Sequence, residues 1–360
     1  MACSRCQTLP LSVETRGTLL LTGAVRELID ILIGFLEVEG LAFEDAGLEV
    51  RLPDSNLFEF LQRVRATQAF NALERRGISA LLLEPGETLS FHAFTRARTL
   101  EQWLGLIDAC GLIEILEAQR FVSWFQPILA ATDGAVIGHE ALLRGQRPDG
   151  TLMFPGEIFS LAGDNDLLFQ VDRQARESAL RCAASVGLQG QLFVNFVPTA
   201  IYDPAHCLQS TVGWARRLGF DPGRLVFEVV ETERVGDLDH LRCILDFYRD
   251  AGYRVALDDM GSGYASLNLL ATLKPDIIKI DLEIVRGIDA DPQRQSVFRA
   301  LVGIARDLGI QVLAEGIETQ AELAYVIAEG ADLVQGYLFA RPAPQPHEPQ
   351  WSEFWGSDRR

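Results

Sequence analysis

The chain has 360 residues, 48% of them hydrophobic and 23% charged, which is ordinary for a globular protein with a substantial core and suits one large domain plus a smaller one. Its formal net charge of −18 argues against DNA, RNA or an anionic membrane surface as the main partner. A small phosphate ligand is not excluded, because bound divalent cations invert the local sign.

In chain order, Cys3-x-x-Cys6 comes first. No second pair lies nearby to close a tetrahedral metal site, so it is read as part of a disordered terminus. No signal peptide is seen, the stretch from Leu28 to Phe43 is broken by Asp30, Glu37 and Glu39, and a cytoplasmic location without a membrane span is expected. Thr18-Leu19-Leu20-Leu21, Leu48–Leu52 and Ser79–Leu83 read as strands; Val25–Leu36 and Leu57–Arg76 have helical spacing. These elements make residues 1–112 a small mixed α/β domain, regulatory, sensory or dimerising, without a chemical motif. A single long helix over about 100–118 would connect it to the rest.

From Phe121 onward strand and helix patterns alternate, which predicts a parallel sheet. The predicted strands are Phe121–Leu129, Val136–Leu143, Gln191–Phe196, Leu225–Val230, Val255–Asp259, Asp276–Ile280, Gln311–Glu315 and Leu333–Tyr337. Eight strands in about 220 residues suit a closed (β/α)8 barrel of the TIM type over 119–345, followed by a tail over 346–360. The helix between Pro292 and Gly309 carries the stripe Val297, Leu301, Ile304 and Leu308, and Thr319 with Glu322 forms a capping box for the last helix.

Seven of these strands are expected to finish on a polar or charged residue: Glu140, Asn195, Glu228, the pair Asp258-Asp259, Lys279, Glu315 and Gln335. An ionised carboxylate at a buried strand tip is costly unless a metal or a partner compensates it. Oxygen donors without Cys or His select hard cations such as Mg²⁺ or Mn²⁺. His139 is turned to the other side of its strand from Glu140 and is read as packed. Lys279, inside an apolar strand, suits a water or phosphate contact. Glu315 suits a general base, or an ion pair with Lys279, and Arg144 offers a fork for phosphate. Residue chemistry alone thus reaches a metal-dependent phosphoester hydrolase on a barrel and names no substrate.

Several runs in order carry a resemblance: Phe125-Gln126-Pro127-Ile128, Glu140-Ala141-Leu142-Leu143-Arg144, the motif of Asn195, and Glu228-Val229-Val230-Glu231-Thr232. Asp258-Asp259-Met260-Gly261, Gly263–Leu267, Lys279-Ile280-Asp281, Glu315-Gly316-Ile317-Glu318 and Gln335-Gly336-Tyr337 follow. Together they resemble the EAL family of cyclic di-GMP phosphodiesterases over about residues 118–345. The resemblance implies a modified TIM barrel with its first strand antiparallel and hydrolysis of cyclic di-GMP to linear pGpG with two Mg²⁺ or Mn²⁺ ions. It implies that Glu140, Asn195, Glu228 and Asp258 hold one ion, and that Asp258 bridges to a second, held also by Asp259. Lys279 would position the hydrolytic water, and Glu315 would act as base or assist the second ion. Gln335 would orient groups around that water, and Gln126 and Arg144 would contact substrate. Glu231 and Glu318 would support the double-aspartate loop, which the family links to a homodimer interface. Met260 stands where the family usually has phenylalanine, and Phe196-Val197-Pro198 and Val229-Val230 also depart from its usual residues; none of these removes a ligand or a charge. A catalytically silent EAL domain acting as a cyclic di-GMP receptor is the alternative, and the complete set of ligands favours the enzyme.

Overall fold

The computed structural model describes residues 16–229, 238–261, 267–347 and 349. Cys3, Cys6, Glu231 and the loop from Ser262 to Ser266 lie outside the described residues. Two compact units divide the chain: among the described residues, 16–117 with Glu157–Leu168 form one, and Ala118–Gly156 with the chain from Phe169 onward form the other.

In the first unit, β1 (Arg16–Gly23), β2 (Glu44–Asp45), β3 (Glu49–Asn56), β4 (Ile78–Leu83) and β5 (Arg98–Thr99) make an antiparallel sheet of order β2-β3-β1-β4-β5. Leu19 and Leu21 of β1 share one buried cluster with Leu32, Leu61 and Trp103 from three helices, while Leu20 faces the other way, as period-2 alternation requires. The predicted helix Leu57–Arg76 is two helices, Leu57–Thr67 and Ala72–Gly77. Gln68 adopts φ +48° and ends the first, and Asn71 with Glu74 forms a capping box that starts the second. The predicted connecting helix is likewise two, Leu100–Asp108 and Cys110–Glu117, interrupted at Ala109.

The second unit contains β6 (Phe121–Ala130), β7 (Val136–Gln146), β8 (Leu152–Met153), β9 (Gln191–Phe196), β10 (Leu225–Val229), β11 (Arg254–Met260), β12 (Ile277–Ile280), β13 (Gln311–Ala314) and β14 (Leu333–Val334). All but the short β8 close into an eight-stranded barrel. Its first strand, β6, runs antiparallel to both neighbours, β7 and β14, and the strands from β7 and β9 round to β14 pair in parallel. Asp276 and Asp332 each start a strand turn and accept the N–H of Val255 and Val312 at 2.8 Å, which pins the register between neighbours.

Alternation around this closed sheet decides where the chemistry sits. Ile128, Phe193, Val226, Ala256, Ile277, Leu313 and Leu333, one per strand, meet in a dry inner layer. Two residues on, along the six parallel strands from β9 to β14, stand Asn195, Glu228, Asp258, Lys279, Glu315 and Gln335. The intervening Val194, Phe227, Leu257, Ile278, Ala314 and Val334 face out into the cluster shared with the helices.

Three expected strand ends differ. β7 runs on to Gln146 because its antiparallel ladder with β6 continues to Phe121↔Gly145, so Glu140 stands in mid-strand, not at a tip. β13 and β14 stop at Ala314 and Val334, and Glu315 and Gln335 follow them directly. The chain leaves β14 because Gly336 lies against the backbone of Ile317: a Cβ there would stand 2.0 Å from the Ile317 oxygen and 2.4 Å from its nitrogen. Gly336→Ala should therefore destabilise the barrel by about 1–3 kcal/mol, as overpacking does. Urea unfolding measures it, and an unchanged midpoint would contradict the packing described.

Candidate active site

The mouth of the barrel holds a cleft of about 310 Å³, lined among others by Gln126, Glu140, Asp258, Lys279, Glu315 and Gln335. Lys279 is its electrostatic centre. Its ammonium stands 2.8 Å from Glu315, 3.1 Å from Glu228, 3.2 Å from Asp258 and 3.7 Å from Glu140, with 1% of the side chain exposed. Burial alone would push the lysine down, but the four carboxylates outweigh it and hold it well above its ordinary value. Four carboxylates against one ammonium leave three formal negative charges uncompensated.

The carboxylates answer that imbalance unequally. Burial raises Glu140, but Lys279 and the carboxamides of Asn195 and Gln335 reverse the sign, and its net shift is downward. Those carboxamides donate to its two oxygens at 2.9 Å each. Glu228, fully buried, is pushed well up by burial and by the charges of Glu140, Asp258 and Glu315, against the pull of Lys279. Glu315 and Asp258 are raised as well, burial first and then neighbouring carboxylates.

The donor set fits hard cations. Glu228 Oε1 stands 3.1 Å from the Lys279 ammonium but takes no well-aligned hydrogen bond, nor does Oε2, and the buried carbonyl oxygens of Asn195 and Gln335 also lack one. Orphaned oxygens beside a surplus of negative charge suit Mg²⁺ or Mn²⁺. Among the described residues no three acidic, His or Cys side chains are gathered as a ready-made metal cage; the carboxylates converge on Lys279 instead.

Asp258 lines the cleft, and Asp259 follows it outside the lining across an irregularity invisible to simple alternation. Between Leu257↔Ile278 and Met260↔Ile280 the ladder slips by one residue, a β-bulge, and Asp259 adopts φ +56°. Its area places it at the surface, yet it feels Asp258, Asp281 and Lys279, and partial burial with the two aspartates pushes it up to about 6. Met260 follows, buried in the layer between strands and helices, where it accepts the Asp281 N–H at 3.2 Å.

Gln126 is opposite Glu140 in the β6–β7 ladder, and its amide donates to the Ala340 oxygen at 3.3 Å. Arg144 is buried off the cleft lining: its guanidinium lies over Trp124 and Phe154 at 5.0 and 5.1 Å and donates to the Leu143 oxygen at 2.7 Å. It is thus a stacked arginine here rather than a free phosphate fork. Glu318 pairs with Arg286 at 2.9 Å, and part of the loop it was expected to brace is outside the described residues. His139 is packed, with Nε2 3.2 Å from the His347 oxygen. Sequence reasoning missed Arg286 and gave Tyr337 no role, although both line the cleft. The Gln-Gly-Tyr run marked Tyr337; Arg286 had no local signal. A larger cleft of about 830 Å³ in the first unit has no comparable constellation: its Arg65 and Arg75 pair with Asp108 and Glu101.

Known proteins resemble this chain in sequence and fold. A cyclic di-GMP phosphodiesterase of Pseudomonas aeruginosa, NbdA, is 32% identical over 230 residues, 61% of this chain and 28% of the relative. A standalone EAL protein of Vibrio cholerae in its cyclic di-GMP-bound form superposes with a TM-score of 0.59 at 38% identity, covering 64% of this chain and 97% of that one. The Bacillus subtilis YkuI protein, solved with cyclic di-GMP and calcium, superposes at 0.58 with 26% identity over 66% of this chain and 60% of that one. The chain spans about a third of the length of the first curated relatives it matches. The EAL-domain family model matches residues 111–342, and the chain belongs to the EAL-domain family.

Proposed function

We propose that this protein hydrolyses one phosphodiester bond of cyclic di-GMP, giving linear pGpG, with Mg²⁺ or Mn²⁺ bound in the barrel mouth. The observation that carries the reading is the group of four carboxylates within 3.7 Å of Lys279, whose formal charges exceed that of the lysine by three. Relatives solved with cyclic di-GMP bind that nucleotide on the same fold. Glu140, Asn195, Glu228 and Asp258 would hold one cation, and Asp258 with Asp259 a second. When bound, the cations supply a more acidic water and charge neutralisation at the phosphate.

The chain's own groups do the rest. Lys279 holds the attacking water and offsets phosphate charge. Glu315, 2.8 Å from Lys279, is the carboxylate placed to take the water's proton. Gln335, anchored on Glu140, orients the groups around that water. Gln126 is placed to touch substrate beside Glu140, and Arg144 does so only by leaving its aromatic stack. Glu231 and Glu318 brace the double-aspartate loop in this reading.

The same reading includes a cytoplasmic homodimer formed through the barrel domain, with the first unit regulatory. Among the described residues no helix is long and apolar enough to cross a membrane. Because Glu157–Leu168 clusters with the first unit, excising that unit strips the partner from a segment beyond it. Regulation is therefore best tested on the intact chain.

Incubation with cyclic di-GMP and Mg²⁺ or Mn²⁺ should yield pGpG by chromatography. Binding without turnover would sink the enzyme reading and leave a receptor. Lys279→Ala and Glu315→Gln should each lower kcat by about a hundredfold or more, the scale of positioned acid–base groups; full turnover in either would remove the role assigned to it. Chelation should abolish activity and added Mn²⁺ restore it, whereas chelator-resistant turnover would contradict the cation sites.

A further inference from the structure

The helix Leu168–Ser185 carries Asp172 and Arg176 one turn apart, 2% and 1% exposed, deep in the barrel unit. Burying such a pair often gains nothing over apolar residues of the same size, so stability alone does not account for it. Asp172 divides its oxygens between two tasks. Oδ2 pairs with the Arg176 guanidinium, and Oδ1 accepts the N–H of Val197 at 2.8 Å. Arg176 in turn donates through Nε to Thr211 Oγ1 at 3.1 Å, on the buried side of the helix Gln209–Arg217.

Val197 is the first residue past β9, two beyond Asn195. Among the described residues the ladder to β10 runs to Phe196↔Val229, and the Val197 N–H is met by Asp172. At 6% exposure it would be costly to leave unmet. On the same side, Phe196 meets the edge of Tyr248, which stacks on Phe227 at 4.0 Å. Phe196 and Phe227 face this helix layer, and their neighbours Asn195 and Glu228 face the barrel interior beside Glu140 and Lys279. The buried carboxylate therefore clamps the point where β9 turns away from the barrel, directly behind one donor of the ring. The carbonyl oxygen of Asn195 accepts no hydrogen bond, so its aim depends on its amide bond to Glu140 and on the backbone behind it.

We propose that Asp172 is a positioning residue for divalent-cation binding: by holding the Val197 N–H it fixes the end of β9, and with it the Asn195 carbonyl. The role rests on the reading of Asn195 as a cation ligand. The partner Arg176 orients Asp172 through its other oxygen.

Two double variants separate the hydrogen bond from the ion pair. Asp172→Asn/Arg176→Met removes the pair but keeps an oxygen for Val197. Asp172→Leu/Arg176→Met removes both at nearly the same volume. Mn²⁺ binding is measured by titration calorimetry on the full chain, with thermal melting as a check on folding. The asparagine variant should bind close to wild type, and the leucine variant about tenfold more weakly, the usual cost of losing a group behind a metal ligand. If the leucine variant does not fold, Asp172→Ala/Arg176→Met takes its place with the same expected loss. Equal Mn²⁺ affinity in both arms overturns the positioning role while leaving the cation site intact. Failure of the wild type to bind Mn²⁺ overturns the site itself.

Discussion

One lysine holds four carboxylates together at the mouth of this barrel, and the rest of the site is arranged around that inequality. Lys279 neutralises one charge and leaves the others to be met by hydrogen bonds, by protonation or by cations. Each acid takes a different share. Glu140 is held ionised by Lys279 and two carboxamides, Glu228 is driven toward its neutral form by burial, and Asp259 shares the burden at the rim. Such divergent environments for like groups are what separates ligand, base and structural roles in one pocket.

The barrel makes the concentration of charge possible. The dry inner layer from Ile128 to Leu333 fills the space beneath the ring, so the carboxylates sit on a low-dielectric floor rather than in water. The antiparallel first strand brings Gln126 beside Glu140 and closes the sheet without an exposed edge. Close backbone approach then shapes the rim, as where Gly336 lies on Ile317 and Gly316, at φ +70°, lies on Leu282.

Much of this was legible because its physics is local. Alternation of period 2 put apolar and charged residues on the same face of strands β9 to β14, and the ordered motifs supplied the family. What escaped was set by pairing partners far along the chain. Glu140 fell in mid-strand because β6 prolongs the ladder, and Asp259 takes its positive φ where β11 bulges against β12. Arg144 looked free for phosphate, but Trp124 on the neighbouring strand and Phe154 beyond β8 stack on it. Asp172 and Arg176 carried no local signal in the sequence. Only the fold shows that the N–H of Val197 and the hydroxyl of Thr211 meet them indoors.

The central claim is that the ring carries more negative charge than the protein itself compensates, and that divalent cations make up the difference. Glu228 tests it most directly, being fully buried and pushed well up in pKa despite Lys279 at 3.1 Å. A carboxyl whose folded pKa lies above its unfolded value weakens the fold at every pH above the unfolded value, so at neutral pH its removal should be stabilising. Thermal melting of wild type and Glu228→Gln, in chelator and in Mn²⁺, gives the measurement. The account predicts a higher Tm than wild type for Glu228→Gln in chelator, and a smaller rise on adding Mn²⁺. A lower Tm in chelator together with an undiminished Mn²⁺-induced rise would contradict it.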